Sequence, residues 1–376
     1  MVDLHGQYLK IKADIDTAIQ QVIDSSAFIG GETVNDFADH LSAYQGGCHV
    51  VTCANGTDAL QIALMALRLQ RGDEVIVPAF TYVASAEVIA LLGLTPILVD
   101  VDPSTFNITA DTIEPAITPR TRAIIPVHLF GQCCDMESIL QLAATHSIPV
   151  VEDNAQAIGA MYTYSDGHRA LSGTLGTLGC TSFFPSKNLG CFGDGGAIFT
   201  SDDALAVRTR MIANHGQHEK YHHDIIGCNS RLDALQAAVL DVKLRHLNEY
   251  IRARRSAAHY YTERLHDFDP TASRIVTPFE LPQSTHTYHQ YTLTVRDGYR
   301  DALKSHLAAY GIPSMVYYPL PLHKQTAFQP LARCIGDLRS ATQCSASVLS
   351  LPMHTELTTG QQDKVVDAII HFYKHH

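Results

Sequence analysis

Between residues 48 and 156 the chain alternates short, nearly uninterrupted apolar runs with longer stretches of helical pattern, and nothing else in its 376 residues restricts the fold as much. EVIVPAF (74–80) leads into YVASAEVIALLGL, and TPILVDVD (95–102) into a helical stretch near 109–117. TRAIIPVHLFG (121–131) leads into a helix from Met136 to His146, which IPVVEDNAQ (148–156) follows. A strand that is apolar on both faces must be covered on both faces, and strands separated by helices pair in parallel. The expected class is therefore α/β, a mostly parallel sheet with helices on both sides. In such sheets ligands sit beyond the carboxyl ends of the strands, so the polar residues closing the apolar runs come first: Asn55, Thr81, Asp153 and Gln156.

Past a glycine-rich turn near 190–196, helical pattern runs through 231–265, with Asn229 in the turn before a helix beginning near Leu232. The segment HDFDPTASRIVTPFELPQ, rich in proline and turn formers, then interrupts it. YHQYTLTV, a helix from Tyr299 to Tyr310, MVYYPL, VLSLPM and a final helix near 361–374 make a smaller α+β unit. The expected organisation is a large unit over 1–250 and a small one over 251–376. A net charge of −11, from 27 Lys+Arg against 38 Asp+Glu, argues against nucleic acid or an anionic membrane surface as partner. MVDLHGQYLKIKADIDTAIQQ lacks the regions of a signal peptide, and no apolar run reaches the ~18 residues of a membrane span, so the expected location is the cytoplasm. Nine scattered cysteines without paired CxxC spacing are read as reduced thiols.

Three segments carry chemistry. ANGTDALQIALMALRL (54–69) is a small-residue turn opening a helix, with Thr57 as the expected N-cap. The free N–H groups there would form a seat for a phosphate. VEDNAQ closes a strand with two acids, and alternation sends Glu152 and Asp153 to opposite faces, so only one can reach a ligand. SFFPSKNLGCFGDGGAIF (182–199) sets Lys187 among apolar and small residues. Burial there lowers an amine's proton affinity and favours the neutral nucleophile. Each segment alone also has a plain structural use, as a helix cap, a turn acid or a surface lysine.

Together with PAFTYVASAE, GCNSRLDALQAA and YYPLPLH, these segments resemble the sugar aminotransferases of the DegT/DnrJ/EryC1/StrS family, over nearly the whole chain. That family uses pyridoxal 5′-phosphate (PLP) on the aspartate-aminotransferase fold (fold type I). The resemblance implies that Lys187 carries the cofactor covalently, Asp153 meets the pyridine nitrogen and Gln156 lies near the phenolic oxygen. It implies Gly56, Thr57 and Ser182 on the phosphate and Tyr82 against the ring face. Asn229 would reach the phosphate of a neighbouring subunit, making a homodimer with shared sites. Dehydratases of the family carry histidine at the lysine position, so lysine here implies transamination: L-glutamate would convert the cofactor to its pyridoxamine form, which then aminates a nucleotide-linked keto sugar.

HGQHEKYHH (215–223) holds four histidines, but Gly216 interrupts the helix that would set His215, His218 and His222 on one face, so no metal is expected. HGQ followed by YHH and NSRLD is similar to the branch acting on UDP-2-acetamido-2-deoxy-3-oxo-hexuronic acids, serving bacterial surface polysaccharides such as lipopolysaccharide O-antigen. That branch implies a C6 carboxylate, for which Arg231 is the expected partner, with His222, His223, Tyr317 and Tyr318 also in the substrate site. The rival substrates are dTDP-linked keto-6-deoxyhexoses aminated at C3 or C4. A rival of another class is a PLP-binding regulatory protein without turnover.

Overall fold

A computed structural model describes residues 1–376. Its main sheet runs, edge to edge, His49–Cys53, Gly196–Thr200, Leu178–Ser182, Val151–Asp153, Thr121–Ile124, Glu74–Pro78, Thr95–Val99 and Arg333–Cys334. Parallel bridges Ile124↔Val150 and Val127↔Asp153 join its two halves. Every strand is parallel except Gly196–Thr200, which opposes both of its neighbours. The mostly parallel α/β class expected from the sequence is the one observed. Its cause is visible in the strands, since the parallel Glu74–Pro78 and Val151–Asp153 are buried at every position.

The helices supply the cover that such strands demand. Gly56–Ala66 buries Ala59, Leu60, Ile62, Ala63, Leu64 and Ala66. Glu74 is a fully buried charged residue on a central strand, and charged partners make that tolerable: Arg120 grips it with two donors at 3.1 and 2.7 Å, Thr118 adds a hydroxyl at 2.5 Å, and Arg333 reaches it from the edge strand.

A second, antiparallel sheet of Ile275–Val276, Tyr291–Val295 and Val348–Leu351 packs with helices Arg300–Ala309 and Thr359–Lys374. The helical pattern at 231–265 resolves into two helices, Ala234–Leu244 and Leu247–Phe268. The longer one belongs to both cores. Leu247 and Ile251 pack with Phe183, Leu189 and Leu232, while Ala257, Ala258, Tyr261 and Leu265 pack with Leu293 and Leu349. No helix is long and apolar enough to cross a membrane, and all nine cysteines are free.

Candidate active site

Lys187 lies in the loop that leaves Leu178–Ser182 and returns as Gly196–Thr200. The loop is closed by its own backbone: Phe183 N donates to Gly195 O at 2.7 Å, Cys191 N to Phe183 O at 2.8 Å and Lys187 N to Phe184 O at 2.8 Å. Two side chains tie it to its surroundings. Asn188 Nδ2 donates to Thr287 O at 3.2 Å, and the buried Lys243 ammonium donates to Gly190 O at 2.8 Å. The Lys187 amine itself has no protein hydrogen bond. Loss of solvent pushes its pKa down to about 8, with the Asp153 carboxylate pulling the other way.

Asp153 and Glu152 part company as strand alternation requires. Asp153 is buried, taking a hydrogen bond on Oδ2 from Ser85 Oγ at 2.7 Å and one on Oδ1 from Ala155 N at 3.1 Å. Glu152 points the other way, onto His128. Three residues on, Gln156 Oε1 accepts from Phe130 N at 2.7 Å, and its Nε2 donates to the Tyr318 hydroxyl at 3.1 Å. The amide thus holds together a loop with positive φ at Phe130 and an aromatic wall.

The helix opening at Gly56 faces the same strand ends. Its N-cap is Asn55, whose Oδ1 accepts from Asp58 N at 2.8 Å, and not Thr57 as the sequence suggested. Asn55 sits in extended backbone, as a cap must, whereas Thr57 already lies inside the first turn. The shift leaves the Thr57 hydroxyl and the Gly56 and Thr57 N–H groups without protein acceptors. Gly56 is required by close approach: a Cβ there would stand 2.6 Å from Ser182 Cβ. Ser182 and this helix start therefore stand against each other at one corner of the sheet.

Aromatic rings form a wall beside Gln156. Tyr82 is 55% exposed, and its ring centroid lies 6.0 Å from that of Tyr318, which also meets Phe80 at 6.2 Å. Tyr317 packs against Tyr318 with ring centroids 5.9 Å apart, and burial raises its phenol pKa. The structure thus brings Gly56, Thr57, Tyr82, Asp153, Gln156, Ser182, Lys187, Tyr317 and Tyr318 to one end of the sheet.

Asn229, Arg231, His222 and His223 are exposed and make no hydrogen bond or ion pair with these residues. His222–His223 form a hairpin with Gln217–Glu219, where His223 Nδ1 meets His215 O at 2.8 Å. Asn229 pairs with Asn214, and Ser230 Oγ accepts from Ala54 N at 3.0 Å, tying this segment to the turn before Gly56. Sequence reasoning missed Ser85 and Ser230. A lone serine on the apolar ASAEVIAL helix was the available signal for the first.

Residues 9–370 match the model of the DegT/DnrJ/EryC1/StrS aminotransferase family. A UDP-2-acetamido-2-deoxy-3-oxo-D-glucuronate aminotransferase of Pseudomonas aeruginosa is 48% identical over 360 residues, covering 95% of this chain and 96% of the relative. A pleiotropic regulatory protein of Geobacillus stearothermophilus is 46% identical over 375 residues, covering 100% and 98%. The crystal structure of ntda from Bacillus subtilis, with bound pyridoxamine phosphate, superposes with a TM-score of 0.88 at 32% identity, covering 97% of this chain and 82% of that one. This chain belongs to the DegT/DnrJ/EryC1/StrS aminotransferase family, whose aminotransferases work with pyridoxal 5′-phosphate.

Proposed function

We propose that the protein transfers the amino group of L-glutamate to a nucleotide-linked keto sugar, with Lys187, Asp153 and the Gly56 corner as the cofactor site. The observation that carries this reading is the Lys187 amine, free of hydrogen bonds, pushed down to about 8 by loss of solvent and close enough to Asp153 to feel its charge. The residues fit PLP in kind: unpartnered N–H groups at Gly56 and Thr57 suit a phosphate, and the exposed Tyr82 ring suits a flat heterocycle. When bound, that group supplies an electron sink that lets an amino group leave one carbon and arrive at another. Lys187 would anchor it and carry a proton between the two carbons concerned. Asp153, fixed by Ser85 and Ala155, would hold a proton on the ring nitrogen, and Gln156 would sit at the phenolic oxygen. Ser182 would join Gly56 and Thr57 on the phosphate.

Exposed residues supply the rest of the reading. Asn229, exposed beside Ser230, would complete the phosphate site of a second copy in a homodimer. Two units, 1–250 and 251–376, would meet within Leu247–Phe268. The substrate proposed is a UDP-2-acetamido-2-deoxy-3-oxo-hexuronic acid used in the cytoplasm for surface polysaccharide. The Pseudomonas relative supports it, as does Arg231, an exposed guanidinium with no ion pair and therefore open to a carboxylate. His222, His223, Tyr317 and Tyr318 would flank that sugar.

The test compares two 3-keto nucleotide sugars that differ at C6, generated in place by a coupled dehydrogenase and followed by mass spectrometry with glutamate as donor. Charge-assisted bonds of ~1.5–3 kcal/mol favour the acid by roughly tenfold or more in kcat/KM. Equal or better turnover of a 6-deoxy sugar would replace the hexuronate with a dTDP-linked substrate, and transfer to neither would leave the regulatory reading.

A further inference from the structure

On the strand face opposite Asp153, Glu152 is fully buried, and its carboxylate receives four hydrogen bonds. Oε2 accepts from His128 Nε2 at 2.8 Å and from Gly173 N at 2.8 Å, and Oε1 accepts from Leu175 N and Gly176 N, both at 2.7 Å. His128 is fully buried too, and its Nδ1 accepts from Cys134 N at 3.2 Å. The ring proton must then sit on Nε2, directed at Glu152.

The backbone of the same histidine holds the neighbouring acid. His128 N donates to Asp153 O at 3.0 Å, while Asp153 N donates to Pro126 O at 2.9 Å. One residue therefore grips both acids, Asp153 through its main chain and Glu152 through its ring. The third support is the turn at 173–176, which folds onto Glu152 with Gly173 at φ +86°, where a Cβ would lie 2.8 Å from Asn154 Nδ2. A buried carboxylate that loses any of these donors is left with an unmet acceptor, so the strand end cannot rotate or slide without a large cost. Asp153 has no comparable freedom on its own side, where Ser85 holds Oδ2.

We infer that His128 and Glu152 are positioning residues for Asp153: the buried pair fixes the strand end so that the Asp153 carboxylate is held at one place and angle in the site. The inference rests on the proposed role of Asp153 at the ring nitrogen. It assigns no contact between the pair and cofactor or substrate. Its consequence is that disturbing the pair alters what Asp153 does without touching the Lys187 side of the strand.

The test uses full-length wild type, Glu152→Gln, His128→Leu and His128→Gln, with Asp153→Asn as reference. Two quantities are read: the dissociation constant for PLP added to cofactor-free protein, and the pH midpoint of the bound cofactor's visible absorbance. Glu152→Gln and His128→Leu should each weaken PLP binding at least fivefold and move the midpoint in the direction of Asp153→Asn, by less. His128→Gln, whose amide can still donate to Glu152, should lie closer to wild type. A purely structural pair would lower the melting temperature and leave affinity and midpoint at wild-type values, and that result in folded variants overturns the inference. Should Glu152→Gln fail to fold, the two His128 variants decide: equal behaviour of leucine and glutamine overturns it. Absence of any visible band in the wild type would instead sink the cofactor reading itself.

Discussion

Lys187 and Lys243 make an instructive pair, because burial pushes both amines down to about 8. Lys243 spends its ammonium on Gly190 O at 2.8 Å and lies 5.0 Å from the centre of the Phe192 ring, whereas Lys187 has no such acceptor. In cofactor-free protein, competitive amine labelling read by mass spectrometry should show Lys187 becoming reactive as pH rises through about 8, well below the ordinary ~10.4. Because the Asp153 charge raises that value, Asp153→Asn should move the midpoint lower still, and a rise would contradict the assigned geometry. At the other corner, Gly56→Ala places a Cβ 2.6 Å from Ser182 Cβ, so PLP affinity and melting temperature should both fall. Adding Ser182→Gly removes the obstruction and should restore the melting temperature but not the affinity. Individual residues were unevenly legible in the sequence. Lys187 and the opposed acids followed from burial and alternation. ANGTD, however, offers two capping side chains, and only the position of the first turn selects Asn55 over Thr57. Ser85 stayed hidden because its partner lies 68 residues away in the chain.

Among the elements, the segment from His286 to Gln290 joins the two cores and carries two histidines that burial keeps neutral. His286 stacks on Tyr288 with centroids 4.0 Å apart, and loss of solvent pushes its pKa down to about 3, with Glu280 raising it and Arg255 lowering it. His289 is pushed well below the usual range by burial, then by Lys187 and Arg254. Between pH 6.5 and about 3 the unfolded chain binds protons that folded His286 refuses, so its stabilising effect is present above 6.5 and lost on acidification. One such group contributes a slope of up to about 1.4 kcal/mol per pH unit. Melting temperatures at neutral and mildly acidic pH should therefore converge in His286→Phe relative to wild type, and an unchanged difference would count against this burial. The parallel strands were readable because buried strands announce themselves as apolar runs. The reversed direction of Gly196–Thr200 was not, since periodicity carries no sense of direction. Nor was the two-residue edge strand Arg333–Cys334, too short to have a period, or the hairpin at 217–223, whose register depends on a positive φ at Tyr221.

For the whole molecule, the proposed shared site would set Asn229, exposed in the single chain, against a second copy. Composition and local pattern cannot show such sharing, and the sequence pointed to it only through family resemblance. Mixing Lys187→Ala with Asn229→Ala chains in equal amounts should put both defects into one site of each mixed dimer. Half the dimers would then keep one sound site, giving about a quarter of wild-type activity after exchange. No recovery, or a fully active monomer by sedimentation, would remove the shared site. The amine that binds the cofactor can be identified directly. PLP-loaded protein is reduced with borohydride, digested and mapped by mass spectrometry. The reduced cofactor is expected on the peptide containing Lys187, with loss of that adduct in Lys187→Ala. An adduct on Lys243 or any other lysine, or none at all, would contradict it.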